Sequence, residues 1–204
     1  MIKKLQALKA KKGFTLVELV VVIAIIGVLA AILVPTMLGV VQDSRITSAD
    51  SSAQQIKDRT TEFLTKMDAA KASYKNAAND VQILVINGVW KIQGGTAAGQ
   101  WLSGEHWGTT ADSAKEEDMK KKDTEYIAYI ADSLSDLKNA YIEVHIKSGK
   151  VLGVTCVDGA TTVQSGCPTA TDFQNGTYAW GGSKAGVKDN VVYGTSPKLA
   201  LNNG

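Results

Sequence analysis

The stretch Gly13-Phe14-Thr15-Leu16-Val17-Glu18 leads directly into residues 19–41, which carry no charged side chain. A helix of that length reaches about 34 Å at a rise of 1.5 Å per residue, and the hydrocarbon core of a bilayer is about 30 Å thick. The stretch therefore predicts a long N-terminal helix whose first half can cross a membrane.

The residues before Phe14 are strongly basic. They include five lysines and no acidic residue. Positive charge collects on the cytoplasmic side of an inserting apolar segment, so we predict that the N-terminus faces the cytoplasm. The five lysines are Lys3, Lys4, Lys9, Lys11 and Lys12.

Two ordinary explanations of the apolar segment leave Glu18 unexplained. A secretory signal has an apolar region of only about 7–15 residues, although Val28-Leu29-Ala30 fits its cleavage sequence. A plain single-span anchor also fits the hydropathy. Neither accounts for Glu18, because an unpaired carboxylate at the edge of an apolar run costs a few kcal/mol in a bilayer. We expect Glu18 to meet a positively charged partner such as an amine.

The motif from Gly13 to Glu18, with the basic leader before it, resembles the processing site of type IV prepilins. The resemblance is specific over roughly residues 9–42. It implies cleavage after Gly13 by a prepilin peptidase, N-methylation of Phe14, and retention of the apolar helix. It also implies that Glu18 meets the N-terminal amine of a neighbouring subunit during filament assembly.

Gly27 and Pro35 lie inside the apolar segment and predict points where the helix is easily distorted. Membrane helices tolerate such residues because surrounding protein can satisfy the freed backbone groups. The resemblance implies that the segment between them can lose helical order when the subunit leaves the bilayer for the filament. An incidental kink is the alternative.

Beyond Gln42 the apolar residues recur at helical spacing, and neither Pro nor Gly occurs between Val40 and Val81. We therefore predict that the helix continues unbroken with one apolar face; a coiled coil is the alternative. The recurring apolar residues are Ile46, Ala49, Ala53, Ile56, Phe63, Leu64, Met67, Ala70 and Tyr74.

Two β-hairpins follow, because Asn87-Gly88 and Ser148-Gly149 each separate two β-branched, apolar runs. The predicted fold class is α+β, with the long helix packed on a four-stranded antiparallel sheet as in type IV pilins. The predicted strands are residues 81–86, 89–92, 140–147 and 150–157, and helices are predicted at 111–122 and 124–137.

The predicted organisation has four parts. They are a basic leader at 1–13 that is removed, a membrane and assembly helix at 14–41, its amphipathic continuation at 42–78, and a globular head at 79–204. The head holds the sheet and ends in a loop-rich C-terminal region.

The two cysteines, Cys156 and Cys167, are predicted to form a disulfide if the head is exported. Closing that loop would disfavour the unfolded chain by roughly 3 kcal/mol. The alternative is two separately buried thiols. A zinc site is not predicted, because a structural site needs four close ligands and the histidines, His106 and His145, are remote in sequence. No cofactor is predicted.

Composition and motifs exclude several functions. Without the five leader lysines, the 22 basic residues become 17 against 20 acidic ones, a net charge of about −3 that does not favour nucleic-acid binding. The sequence has no phosphate-binding or dinucleotide-binding glycine motif and no triad pattern. His145 alternates with apolar residues and is predicted to be solvated or to cover the sheet. We do not expect an enzyme.

Three tryptophans, Trp101, Trp107 and Trp180, occur in Gly-rich or irregular parts of the chain. Flat aromatic rings can stack on sugars, so these residues are candidates for binding a surface polysaccharide. The alternative is ordinary packing or subunit contact.

The prediction for the whole chain is a structural subunit of a type IV pilus. Its partners would be copies of itself, minor pilins, the prepilin peptidase and methyltransferase, and the membrane. The subunit would lie in the inner or cytoplasmic membrane before assembly and on the cell surface afterwards. A pseudopilin of a secretion or DNA-uptake system is one alternative, a surface adhesin is another, and an anchored enzyme is a third.

Overall fold

The computed structural model describes residues 13–69, 79–95, 124–182 and 184–202. The chain divides into two compact units, Met1–Asp43 and Ser44–Gly204. The first helix, α1 (Leu16–Ala69), supplies residues to both units. This confirms the prediction of a long N-terminal helix, while residues 70–78 of its predicted extension lie outside the described part.

A five-stranded antiparallel sheet forms the centre of the second unit, with strand order β2-β1-β3-β4-β8. All four predicted strands are present, and β8 was not predicted because a Gly-Thr-Ser strand has no apolar alternation. The strands are β1 (Asn79–Ile86), β2 (Val89–Gly95), β3 (Ala140–Lys147), β4 (Lys150–Asp158) and β8 (Gly194–Ser196).

The two predicted hairpin turns have the backbone conformation that tight hairpins need. Asn87 and Gly88 have φ angles of 52° and 77°, and Ser148 and Gly149 have φ angles of 50° and 75°. Positive φ at both central residues is the type I′ geometry, whose twist matches the twist of the flanking strands. These turns set the register of β1 with β2 and of β3 with β4.

Shorter elements surround the sheet. Helix α2 occupies residues 124–131 and gives way to turns, so it is shorter than the predicted 124–137, while residues 111–122 lie outside the described part. The C-terminal elements are α3 (Ala170–Asn175), β5 (Thr177–Tyr178), β6 (Val187–Lys188), β7 (Val191–Val192) and β9 (Ala200–Leu201).

One face of the sheet, here called the inner face, packs against α1 and α2. Ala53, Ile56 and Phe63 of α1 lie in the same buried cluster as Ile142 and Val144 of β3. The buried hydroxyl groups of Thr60 and Tyr126 lie 2.9 Å apart and join the two helices within this cluster. The amphipathic half of α1 therefore supplies one side of the core, as its apolar spacing predicted.

The opposite face, here called the outer face, is covered by the C-terminal segment. Tyr141 and Val157 of the sheet pack with Phe173, Tyr178 and Trp180. The covering is tight at Gly153, where an added Cβ would lie 2.2 Å from the ring of Phe173. The sheet thus separates two apolar clusters, one on each face.

Strand β8 lies directly against the backbone of α1. A Cβ added to Gly194 would lie 1.9 Å from the carbonyl carbon of Ala49. Next to this contact, the backbone N–H of Thr195 donates to Asp50 Oδ1 at 2.9 Å, and Lys198 Nζ lies 3.1 Å from Asp50 Oδ2. The absence of a side chain at Gly194 is what allows the strand and helix to approach.

We predict that Gly194→Ala destabilises the head by about 3 kcal/mol or more, since the new methyl group overlaps backbone atoms that cannot rotate away. Gly182→Ala is the matched control, because a Cβ there meets no atom within 4 Å. Its effect should stay within about 0.5 kcal/mol. Urea unfolding of residues 44–204 measures both; equal stability of the two variants would contradict the proposed close approach.

Candidate functional site

Thr15 and Glu18 contact each other at the start of α1. The backbone N–H and the hydroxyl of Thr15 both donate to Glu18 Oε2, each at 2.9 Å, and the backbone N–H of Glu18 donates to Thr15 Oγ1 at 3.2 Å. This reciprocal arrangement is a capping box, which satisfies backbone donors that a helix start leaves unpaired. Sequence reasoning missed Thr15, although its Thr-x-x-Glu spacing carries the signal.

The capping box orients the carboxylate of Glu18 without using all of its bonding capacity. Both contacts from Thr15 fall on Oε2, and a carboxylate can accept about four hydrogen bonds over its two oxygens. The second oxygen, Oε1, can therefore accept from a further donor. Glu18 is held in the first helical turn, where the positive end of the helix dipole favours an acidic group.

Around Glu18 the surface of α1 is apolar on every side. Phe14 is 87% exposed, and the large apolar side chains from Leu16 to Val41 are between 47% and 79% exposed. Soluble monomers rarely expose contiguous apolar patches larger than a few hundred Å². By length and composition this part of α1 can cross a bilayer. Such a surface needs lipid or protein to cover it.

Helix α1 continues through both Gly27 and Pro35. Beyond the proline, the hydroxyl of Thr36 donates to the carbonyl oxygen of Leu33 at 2.9 Å. The carbonyl that loses its helical donor at Pro35 is that of Ala31, and membrane helices tolerate such a loss because surrounding protein can satisfy the freed group. Loosening of the helix between Gly27 and Pro35 on assembly stays a prediction.

Trp180 is a core residue and not part of an adhesive surface, so its predicted stacking role is wrong. Its side chain is 1% exposed, and its ring meets that of Tyr178 edge-on with centroids 4.8 Å apart. The C-terminal segment turns this ring toward the outer face of the sheet, a placement that local sequence did not reveal. Trp101 and Trp107 lie outside the described residues.

The predicted disulfide is not formed, and both cysteines are free thiols. Cys156 is buried in the cluster on the inner face, whereas Cys167 packs against the cluster on the outer face. Alternation along β4 turns Cys156 to the inner face, while Cys167 lies in the segment that covers the outer face, so the sheet lies between the two sulfur atoms. The alternative of two separately buried thiols is the one observed.

Burial makes both thiols poor nucleophiles. It raises the pKa of Cys156 to about 12, with a further contribution from the charge of Asp158. Burial also raises the pKa of Cys167, helped by the charge of Glu143 and a hydrogen bond to it. Because the thiolate is the reactive form, both groups stay protonated and slow to exchange at neutral pH.

A polar cluster that sequence reasoning missed lies on the outer face of the sheet. One side-chain atom each of Asp80, Glu143 and His145 lies within 4.8 Å of the others. His145 was predicted either to be solvated or to cover the sheet. It is only 1% exposed, so it covers the sheet and is not solvated. Alternation along β3 hinted that Glu143 and His145 share a face. The position of Asp80 depends on the pairing of β1 with β3.

Comparison with known proteins gives two family matches and a local similarity. Residues 8–34 match the prokaryotic N-terminal methylation motif, and residues 46–200 match a family described as domain of unknown function (DUF5021). Two fimbrial proteins of Pseudomonas aeruginosa are each 46% identical to this chain over 50 residues, which is 24% of this chain and 32% of each relative. No solved structure matches the chain.

The methylation motif, the fimbrial similarity and the helix-on-sheet fold define a type IV pilin-like protein, which is a structural and not an enzymatic class. The match to residues 46–200 covers most of the chain, so the protein belongs to the DUF5021 family. The aligned part spans about a third of the length of the fimbrial relatives.

The raised pKa of Cys156 predicts a pH dependence of stability. The unfolded thiol ionises near its ordinary value of 9 and the folded thiol near 12. The folded state therefore keeps the thiol proton up to a higher pH than the unfolded state does. The contribution of Cys156 to the free energy of unfolding is fully present below pH 9 and is lost as the pH rises toward 12. Over this range the free energy of unfolding falls by at most about 1.4 kcal/mol per pH unit because of this one group.

Urea unfolding at several pH values between 9 and 12 measures this effect as the difference between the native head and Cys156→Ala. The variant should lose stability less steeply, because it lacks the buried thiol. Cys167→Ala provides the comparison on the outer face. Parallel curves for the native and Cys156→Ala proteins would contradict full burial of this thiol.

Proposed function

We propose that this protein is the structural subunit of a type IV pilus that polymerises through the apolar part of α1. The observation that carries the proposal is Glu18, an oriented carboxylate at the start of a helix whose apolar surface is exposed on all sides. Packing of these helices in a filament would remove the surface from water. The fimbrial relatives of Pseudomonas aeruginosa, similar over 50 residues, support the same role.

In this proposal, cleavage after Gly13 creates the partner of Glu18. The α-amine of Phe14 exists only once the leader has been removed, and a methylated amine still carries a positive charge. Oε1 of Glu18 can accept from such an amine while Oε2 remains bound to Thr15. In an apolar filament core the two charges stabilise each other, whereas either one alone would be costly.

The same processing step releases the subunit from its lysine-rich leader. Five lysines before Gly13 hold the N-terminus at the cytoplasmic face of the membrane until cleavage. A prepilin peptidase that also methylates Phe14 is the proposed enzyme. Copies of this chain and minor pilins are the proposed partners, and the second unit, Ser44–Gly204, is carried to the cell surface. The match of the N-terminal methylation motif to residues 8–34 supports this sequence of events.

We predict that Glu18→Gln lowers filament assembly at least about a hundredfold at equal subunit levels. Removing one member of a buried charge pair costs about 3–5 kcal/mol, and 1.4 kcal/mol corresponds to a factor of ten. Asp58→Asn is the matched control, because it neutralises an exposed carboxylate further along the same helix. Sheared surface filaments and cell-bound subunit are quantified by immunoblot.

Mass spectrometry of the mature N-terminus from native cells accompanies this measurement. Cleavage after Gly13 with methyl-Phe14 is expected in the native protein and in both variants. Cleavage after Ala30, or an uncleaved chain in assembled filaments, would overturn the proposal. Normal assembly of correctly processed Glu18→Gln subunits would refute the charge pairing.

A further inference from the structure

The polar cluster on the outer face brings together three groups that bind metal ions. Asp80 of β1 and His145 of β3 are directly opposite each other in the antiparallel pairing, and Glu143 is two residues before His145 on the same face. The structure places Nδ1 of His145 2.5 Å from Asp80 Oδ1. One ligand atom from each of the three residues lies within 4.8 Å of the other two.

The environment of His145 determines which ring nitrogen carries a hydrogen. Nε2 lies 2.8 Å from the carbonyl oxygen of Pro168, and a carbonyl oxygen can only accept. Nε2 is therefore the donor, and in the neutral ring Nδ1 presents a lone pair. That lone pair faces Asp80 Oδ1, so the two atoms converge on one position that a proton or a metal ion can occupy.

The bond to Pro168 is the contact expected behind a metal-binding histidine. Histidine ligands commonly donate their other ring N–H to a carbonyl or carboxylate, which fixes the tautomer and the ring orientation. Glu143 is also oriented, because the hydroxyl of Tyr141 donates to its Oε2 at 3.2 Å. His145 is further held by the ring of Phe173, with the two centroids 5.4 Å apart.

A buried hydroxyl beside the cluster supplies an independent observation. Thr155 of β4 is directly opposite Glu143 and therefore shares its face of the sheet. The residue is fully buried, and among the described residues its Oγ1 has no hydrogen-bond partner. Buried hydroxyl groups are normally satisfied. A water held by a metal ion next to Glu143 would offer such a partner.

We propose that Asp80, Glu143 and His145 bind a divalent transition-metal ion of the zinc class, with water completing the coordination. One imidazole with two carboxylates is a ligand set suited to zinc and its neighbours. Bonds of about 2.0–2.1 Å place tetrahedral ligand atoms about 3.3 Å apart. Asp80 and Glu143 are only partly buried, so their side chains have room to move toward this spacing.

The bound ion would join β1 and β3 to the C-terminal segment through His145 and Pro168. This is the kind of cross-link that the two cysteines were expected to make and do not. The sequence did not predict a zinc site, because a structural site needs four close ligands and the two histidines are remote in sequence. The structure instead combines one histidine with two acids, whose positions only the strand pairing reveals.

The test uses the full chain in detergent micelles, reduced and treated with a chelator that is then removed. Co²⁺ serves as the spectroscopic probe, because its visible absorption reports coordination by protein ligands, and Zn²⁺ serves as the competitor. We expect one Co²⁺ per chain, displacement by Zn²⁺, and a thermal midpoint that rises by several degrees when Zn²⁺ is added.

Asp80→Asn and Glu143→Gln each remove one ligand charge while keeping the side-chain size, and each should weaken Co²⁺ binding at least about tenfold. Asp80 is partly exposed, so its substitution should leave the metal-free protein folded. Asp136→Asn, an exposed carboxylate elsewhere in the head, is the matched control and should bind as the native chain does. Absence of a Co²⁺ spectrum, or equal affinity in all variants, would overturn the proposal in favour of a proton alone between His145 and Asp80.

Discussion

The apolar surface of α1 between Leu16 and Val41 must be removed from water, and this requirement governs every state of the protein. At about 25 cal/mol per Å² the penalty for leaving such a surface exposed is large compared with the stability of a single domain. Lipid can meet the requirement before assembly and neighbouring helices can meet it afterwards. In the proposed filament, Glu18 would select among the protein partners, because a carboxylate in that surface needs a positive charge and the bilayer core supplies none.

In the second unit the sheet is buried on both faces and separates two apolar clusters. The inner face packs against the amphipathic half of α1, and the outer face is covered by the C-terminal segment. This separation explains why Cys156 and Cys167 do not pair. It also explains why Trp180 belongs to a core, and why His145 can sit among polar partners without contact with solvent.

Local signals predicted much of the fold because they act over a few residues. The turns at Asn87-Gly88 and Ser148-Gly149 require backbone angles that few other residues accept, and the strands beside them lie where alternation placed them. Strand β8 was not predicted, because its three residues carry no local strand signal. They form a strand only through contact with β4 and α1. The β-propensity of these three residues is too weak to predict a strand that only tertiary packing stabilises.

The sequence by itself determined the long helix, its apolar half, the processing motif and the exceptional position of Glu18. Each of these follows from residue types at short spacing, where helix period and hydropathy are sufficient. Only the tertiary structure decided which side of the sheet each downstream residue faces and which strand lies beside it. Asp80 and His145 are distant in sequence and meet because strand register places them opposite each other, whereas the sheet separates Cys156 on its inner face from Cys167 in the segment that covers its outer face.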